Sequence, residues 1–119
     1  ASSVAHDSHN IIALGVSDEE IARAVNLVIR EKGGIAVTDG IDDHILALPV
    51  GGIMADDDGC VVAAAYENID KKAKELGTTL HAPFMTLSFM ALLVIPELKL
   101  TDRGLVDVSR FDFVPLFCG

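Results

Sequence analysis

The sequence predicts an α+β domain in which a mixed or largely antiparallel sheet with hairpins is covered by about three helices. Three observations lead to this fold class. Short apolar runs flank polar turns, as in β-hairpins, and three longer segments carry apolar residues at helical spacing. In addition, 50% of the 119 residues are hydrophobic and 23% are charged, which is typical of a packed core. We therefore expect one domain over residues 1–119, with its helices packed on the sheet.

The first predicted element is a hairpin. Two short strands, Ser2–His6 and Asn10–Leu14, flank a polar turn at Asp7-Ser8-His9. Asp and Ser favour turns because their side chains bond to nearby backbone groups. Two apolar runs around a short polar segment therefore indicate antiparallel pairing.

A helix follows, with Ser17 as its predicted N-cap. Ser17 and Glu20 have the spacing of a capping box, in which a hydroxyl and a carboxylate bond to the first free amides of the helix. Gly33-Gly34 provides the stop, because glycine accepts the left-handed backbone that ends many helices. Apolar side chains at helical spacing form one face: Ile21, Val25, Val28 and Ile29.

A second hairpin is predicted next, with strands Ile35–Thr38 and His44–Val50 around an Asp39-Gly40 turn. A long helix is then predicted over Asp57–Leu76, ended by Gly77. Its buried stripe consists of Val62, Ala65, Ile69, Ala73 and Leu76.

The third predicted helix begins at Pro83 and continues until Pro96 stops it. It is apolar nearly all round, so we expect burial on most sides. The tail, Leu98–Phe117, is expected to alternate short strands and turns. Its apolar side chains are expected to tuck into the core or against a partner: Phe111, Phe113, Leu116 and Phe117.

Charge and cysteine content exclude several function classes. The net charge is −9, from 18 acidic and 9 basic residues. Such a surface repels phosphate, which argues against binding nucleic acid or an anionic membrane, and no apolar stretch approaches the roughly 20 residues of a membrane helix. Cys60 and Cys118 lie far apart and indicate reduced thiols in the cytoplasm, with one disulfide as the alternative.

The polar turn His6-Asp7-Ser8-His9 is the first candidate site. As a site, it offers two imidazoles that can shuttle protons and a carboxylate that can orient one of them. As an alternative, it is an ordinary polar turn. A metal site here lacks a visible fourth ligand, and a Ser-His-Asp triad is poorly supported because neighbours in a turn rarely align.

Two acidic clusters are interpreted structurally. Asp39, Asp42, Asp43 and His44 could bind a hard cation, but a solvated hairpin loop is the favoured interpretation. Asp56–Asp58 is expected to cap the helix that follows it. Neighbouring carboxylates disfavour a thiolate at Cys60, so that residue is interpreted as structural.

Five blocks of the chain resemble segments of the C-terminal domain of adenine deaminases, in the family's order. They are Ser2–Ile11, Leu48–Met54, Pro83–Phe89, Val94–Gly104 and Phe113–Phe117. Together they span nearly the whole chain, which makes the resemblance far more specific than any single motif.

This resemblance implies a large amidohydrolase-type enzyme of purine salvage. It implies an upstream (β/α)-barrel domain that holds a divalent metal, manganese or iron, and a reaction of adenine with water to give hypoxanthine and ammonia. A metal-bound hydroxide would attack the purine, with acid–base groups delivering protons. The present chain would carry no metal ligand and no activity alone. Its partners would be the barrel domain, adenine in the full-length enzyme, and further copies in an oligomer.

The resemblance also favours a functional role for the polar turn more strongly than the residues alone do. His6, Asp7, Ser8 and His9 would line the mouth of the barrel site, for substrate enclosure or proton handling rather than metal ligation. Residues of the third helix, Met85 and Ser88 in particular, are weaker substrate-binding candidates and equally suit a core or a domain interface.

Two features depart from the family pattern. The family's domain starts upstream of Ala1, so we expect a leading segment that is missing here or lies on another chain. The segment Asp56–Val62 is unusual for the family, and Leu93 stands where a proline is expected. We expect the scaffold to survive, because Leu93 restores a backbone donor.

Two other functions stay open. The chain could be a free-standing, non-catalytic interaction or oligomerisation module derived from that domain, with the apolar helix and Phe-rich tail as a dimer surface. It could also be a small metal-dependent hydrolase that uses His6 and His9.

Overall fold

The computed structural model describes residues 1–117 as an α+β arrangement of three helices and two small antiparallel sheets. Its elements are α1 (Asp18–Arg30), β1 (Gly34–Thr38), β2 (Asp43–Ala47), α2 (Gly59–Glu75), α3 (Pro83–Phe89), β3 (Leu98–Thr101), β4 (Gly104–Asp107) and β5 (Asp112–Val114). The predicted fold class is confirmed, and the strands divide into a β1–β2 sheet and a β3–β4–β5 sheet.

The β1–β2 hairpin forms the centre of the fold. Its register runs from Gly34 opposite Ala47 to Thr38 opposite Asp43. The predicted second strand was longer, His44–Val50, but the chain turns after Leu48, and Val50 N–H donates to the carbonyl of Met54 at 3.0 Å. Helices α1 and α2 both pack on this hairpin.

Two buried clusters make up most of the core. On the α1 side, Leu27 and Val28 pack with Ala36 of β1. On the α2 side, Ile69 packs with Leu46 and other buried side chains of the hairpin and α3. The sheet therefore has apolar packing partners on both helices, as the predicted layers require.

The predicted first hairpin is wrong in detail. Its strands Ser2–His6 and Asn10–Leu14 are reduced to isolated bridges of Ser2 with Ile12 and with Ile35. Serine side chains take up backbone groups that a regular ladder would use: Val4 N–H donates to the Ser2 hydroxyl oxygen at 3.0 Å. Such local bonds compete with strand pairing.

Helix α1 begins and ends where the sequence predicts. The Glu20 N–H donates to Ser17 Oγ at 3.2 Å, and Ser17 Oγ donates to the Glu20 carboxylate at 3.1 Å. At the other end, Gly33 has φ +135° and its N–H donates to the Val28 carbonyl at 2.9 Å. The predicted face is wrong at Ile29, which is 56% exposed, because the sheet contacts the side that contains Ala24.

Helix α2 is capped as predicted. Asp58 is the N-cap, and its Oδ1 accepts from the Cys60 N–H at 2.9 Å. The predicted stripe is right at Ile69, which is buried, and wrong at Leu76, which is 54% exposed at the helix end. The described part of the chain contains no helix that is both long enough and apolar enough to cross a bilayer.

Helix α3 is shorter and more exposed than predicted. It ends at Phe89, and turns with i to i+3 bonds follow, such as Leu92 N–H to the Phe89 carbonyl at 3.1 Å. The expected burial on most sides is wrong, since Met90 is 41% and Val94 is 71% exposed. The other described residues pack on the side that contains Phe84, Ser88 and Ala91 and leave Met85 and Met90 exposed.

The tail forms the β3–β4–β5 sheet, in agreement with the predicted short strands and turns. Burial of its apolar side chains in the core is wrong, because Phe111 is 84% and Phe117 is 83% exposed. Val108 is buried, but within residues 1–117 no second layer covers these rings. Packing against a partner, the other expectation, stays a prediction.

Candidate functional site

The polar turn is closed by its own backbone. The His9 N–H donates to the Ala5 carbonyl at 2.7 Å, and His9 adopts φ +52°. Ala5 is fully buried, whereas the side chains of Asp7, Ser8 and His9 are exposed. The turn is therefore anchored at its base and presents polar groups at its tip.

Helix α3 holds the turn in place through His6. The His6 N–H donates to the Ser88 carbonyl at 3.2 Å. The half-buried His6 imidazole stacks on the Phe89 ring, with centroids 5.1 Å apart and planes inclined by 24°. The His9 ring lies 6.0 Å from the His6 ring. Backbone bond and ring stack together fix one imidazole while the other remains open to solvent.

The structure brings the two predicted groups of site residues together. Met85 and Ser88 belong to the helix on which the turn sits. Ser88 is only 2% exposed, and its hydroxyl donates to the Met85 carbonyl at 2.8 Å. The Ser88 hydroxyl is therefore bonded within α3, whereas the Met85 side chain is 48% exposed.

The arrangement suits proton transfer better than metal binding. An imidazole can give or take a proton near neutral pH, and two of them with the nearby Asp7 offer donors and acceptors to a bound molecule. A metal site needs three or more protein ligands that converge. Within residues 1–117, no group of three or more His, Cys, Asp or Glu side chains is placed to hold a metal ion. The described residues therefore offer no converging ligand set for a catalytic metal.

The second candidate cluster holds the β1–β2 loop together. Asp39 Oδ1 accepts from the Asp42 N–H at 2.7 Å and the Ile41 N–H at 2.9 Å, and these bonds lower the pKa of Asp39. The Thr38 hydroxyl and the Arg23 guanidinium lower the pKa of Asp43, which is 2.8 Å from Arg23 Nε. These contacts support the loop interpretation over a cation site.

An apolar groove of about 700 Å³ is the feature that the sequence did not reveal. It lies between α1, β1, the end of α2 and α3, with walls that include Ala24, Val37, Ala73 and Leu87. We call it the apolar groove. Each of these residues was assigned to a helix or strand, but no periodicity shows that four elements leave a gap between them.

One of the two cysteines, Cys60, lies within the part of the chain that the structure describes. It is exposed at the start of α2 and has no disulfide partner among residues 1–117. Cys118 lies outside the described residues, so the predicted choice between reduced thiols and a disulfide stays open.

Comparison with known proteins assigns the chain to a family. A sequence profile described as the adenine deaminase C-terminal domain matches residues 1–112. An adenine deaminase of Methanosarcina barkeri is 57% identical over 121 residues, which cover 100% of this chain and 22% of that protein. One of Methanosarcina acetivorans is 56% identical over 119 residues, covering 98% and 21%. One of Sulfurovum sp. is 56% identical over 115 residues, covering 96% and 22%.

The chain thus spans about a fifth of the length of the curated relatives that it matches. No solved structure matches it at a significant level.

Proposed function

This chain belongs to the adenine deaminase C-terminal domain family, and from that membership we propose that it is the C-terminal part of an enzyme that converts adenine and water into hypoxanthine and ammonia. The observation that carries the proposal is identity of 56–57% with adenine deaminases over 96–100% of the chain. The sequence blocks that resemble this family are distributed along the same range. The reaction is a step of purine salvage, and we place it in the cytoplasm.

The catalytic metal, manganese or iron, belongs in this proposal to an upstream barrel domain. The described residues offer no converging ligand set for it. Alone, the chain is therefore inactive, and its contribution to the enzyme comes through the surface it presents to the barrel and to adenine.

That surface is the polar turn. His6 is held by the Ser88 carbonyl and the Phe89 ring, so its imidazole has a defined position. His9 is exposed 6.0 Å away and can face a substrate at the mouth of the barrel. In this role the two side chains close the site against water and exchange protons with the purine ring or the leaving ammonia.

The test is adenine deamination by the full-length, metal-loaded enzyme carrying single substitutions. His9→Ala removes the exposed imidazole. His6→Phe removes the ring nitrogens of His6 but keeps an aromatic ring on Phe89, so the turn stays anchored. His81→Ala, at an exposed histidine between α2 and α3, is the matched control.

A role in proton transfer predicts a loss of kcat by about 100-fold or more in His9→Ala or His6→Phe. A role in enclosure alone predicts a higher KM with kcat little changed. Activity equal to that of the control in both variants would show that the turn serves only the fold. Turnover by the chain of residues 1–119 alone would refute the assignment of the metal to another domain.

A second candidate function is oligomerisation, and the observation that favours it is the exposed tail. The rings of Phe111 and Phe117 are more than 80% exposed, and Phe113 and Leu116 between them are more than half exposed. Exposed apolar patches often mark contact sites. Sedimentation of the full-length protein tests it. Phe111→Ser should shift an oligomer towards smaller species if the tail forms the contact.

A further inference from the structure

The apolar groove is open to solvent, and its lip carries apolar side chains that have no cover. Leu14 and Val16, just before α1, line the groove and are 81% and 95% exposed. Leu80, on the opposite wall before α3, is 46% exposed. Leaving these side chains in water is unfavourable by about 25 cal/mol per Å² of apolar surface. A groove of this kind is typical of a surface that another segment covers.

The direction of the first residues shows which segment can reach it. Ala1–Ser3 runs antiparallel beside β1. Ala1 and Ala36 exchange two backbone hydrogen bonds of 2.8 Å each, and the Ser3 N–H donates to the Gly34 carbonyl at 3.0 Å. In an antiparallel ladder the pairing moves one residue back on one strand for each residue forward on the other. A residue that preceded Ala1 would therefore lie opposite Val37, and the one before it opposite Thr38.

That path enters the groove. Ala1, Val37 and Thr38 all line it. Backbone groups of alternate residues in a strand point to the same edge. The odd-numbered residues of this strand point towards β2: the Gly33 carbonyl accepts from the Leu48 N–H, and the Asp39 N–H donates to the Asp42 carbonyl. Thr38, like Ala36, consequently directs its N–H and carbonyl to the opposite edge of β1, where Ala1 pairs with Ala36.

The similar proteins supply such a segment. This chain matches only about a fifth of each of them, and the matching family is a C-terminal domain, so most of each relative precedes the matched part. Burial lowers the pKa of the Ala1 amino group to about 6. A charged terminus is disfavoured at that position, whereas a peptide bond carries no such penalty.

We propose that the polypeptide preceding Ala1 in the full-length protein extends this strand along Val37 and Thr38 and fills the apolar groove with its side chains. It would add main-chain hydrogen bonds to the open edge of β1, as in other cases of strand addition. This inference depends on the proposed function in one respect only: both require that the chain is part of a longer polypeptide. The groove then joins the C-terminal domain to the rest of the enzyme.

The test measures cysteine accessibility in the native full-length enzyme. Val16→Cys places a thiol on the lip of the groove, and Ile41→Cys places one on the β1–β2 loop, outside it, at a residue that is 83% exposed. Each variant is treated with a maleimide, and the labelled peptides are quantified by mass spectrometry, which separates them from the peptide of the exposed Cys60. Unfolded protein gives the reference rate for each thiol.

The proposal predicts that native Val16→Cys reacts about ten-fold or more slowly than native Ile41→Cys, at every protein concentration. Equal rates would overturn it, because the groove would be open. A slow rate that recovers on dilution would also overturn it, because a second copy would then be the cover. Hydrogen exchange adds a measurement without mutation: the Thr38 amide should exchange about 100-fold or more slowly than an unpaired amide, and fast exchange would contradict strand extension.

Adenine deamination is measured on the same samples, so the two proposals can fail separately. An active enzyme whose Val16→Cys thiol reacts freely refutes the groove inference alone. An inactive wild-type enzyme, together with a protected thiol in the Val16→Cys variant, refutes the proposed function alone.

Discussion

The His6 backbone amide donates a hydrogen bond to the Ser88 carbonyl at 3.2 Å, and this contact joins the first turn of the chain to a residue of α3 that lies 82 positions later. The two residues come from the two separate groups that sequence analysis selected as site candidates. Their contact makes the polar turn and α3 one structural unit. A change in the α3 surface is therefore expected to affect the position of the histidines.

Replacement of Phe89 tests how far the ring stack anchors the turn. Phe89→Leu keeps an apolar side chain but removes the aromatic face beneath His6. The lost ring contact should lower the free energy of unfolding by about 1 kcal/mol and release the His6 ring. Proton NMR of the His6 ring detects the loss of the ring-current shift from Phe89. An unchanged shift would mean that the stack does not form in solution.

The N-cap of α1 is expected to stabilise the fold measurably. Ser17→Ala removes the acceptor of the Glu20 N–H and should cost about 1 kcal/mol in the free energy of unfolding, measured by urea denaturation. Ser8→Ala, in the exposed polar turn, is the matched control and should change stability by less than about 0.5 kcal/mol. Equal losses in the two variants would contradict the capping role.

Gly33 is expected to tolerate no side chain. A Cβ there would lie 2.3 Å from the Cα of Gly52, and φ is +135°. Gly33→Ala should therefore lower the free energy of unfolding by about 3 kcal/mol or more, from backbone strain and steric overlap. Gly59→Ala, at the start of α2 with nothing within 4 Å, is the control, and it should be neutral or stabilising by up to about 1 kcal/mol. Thermal unfolding of both variants compares them directly.

The stability of a chain with a free amino group at Ala1 should depend on pH between 6 and 8. Burial lowers the pKa of this amino group from 8.0 to about 6, so the folded state favours the neutral form. Stability is then highest above pH 8, where the amine is neutral in both states. It falls as the pH decreases through about 6 and levels off below that pH, where both states are protonated. Two pKa units correspond to at most about 2.7 kcal/mol.

Chemical denaturation at pH 6 and pH 8 measures this dependence. An N-acetylated chain is the control, because it keeps an N–H for the Ala36 carbonyl but cannot titrate. The difference between pH 6 and pH 8 should be smaller in the acetylated chain. The same pH dependence in both chains would assign the effect to other groups.

Local sequence signals predicted the structure correctly where a single short segment determines it. The ends of α1 follow from Ser17 and Gly33, because caps and left-handed glycine act within a few residues. The cap of α2 follows from Asp58 for the same reason. The α+β class and the antiparallel pairing of β1 with β2 follow from apolar patterning and from the turn at Asp39-Gly40. The family follows from sequence blocks that persist along the chain.

Long-range packing decided the rest. Whether an apolar side chain such as Ile29 or Val94 is buried depends on which surfaces pack against it. Periodicity shows only that the side chain is suited to burial. Two contacts join segments that are distant in the sequence: the stack of His6 on Phe89 and the pairing of the first residues with β1. Local propensity does not encode such contacts. The apolar groove likewise exists only because four elements pack around a space. The sequence by itself determined the capped helix ends, the β1–β2 hairpin and the family. Tertiary structure alone decided which faces meet, because burial is a property of pairs of surfaces.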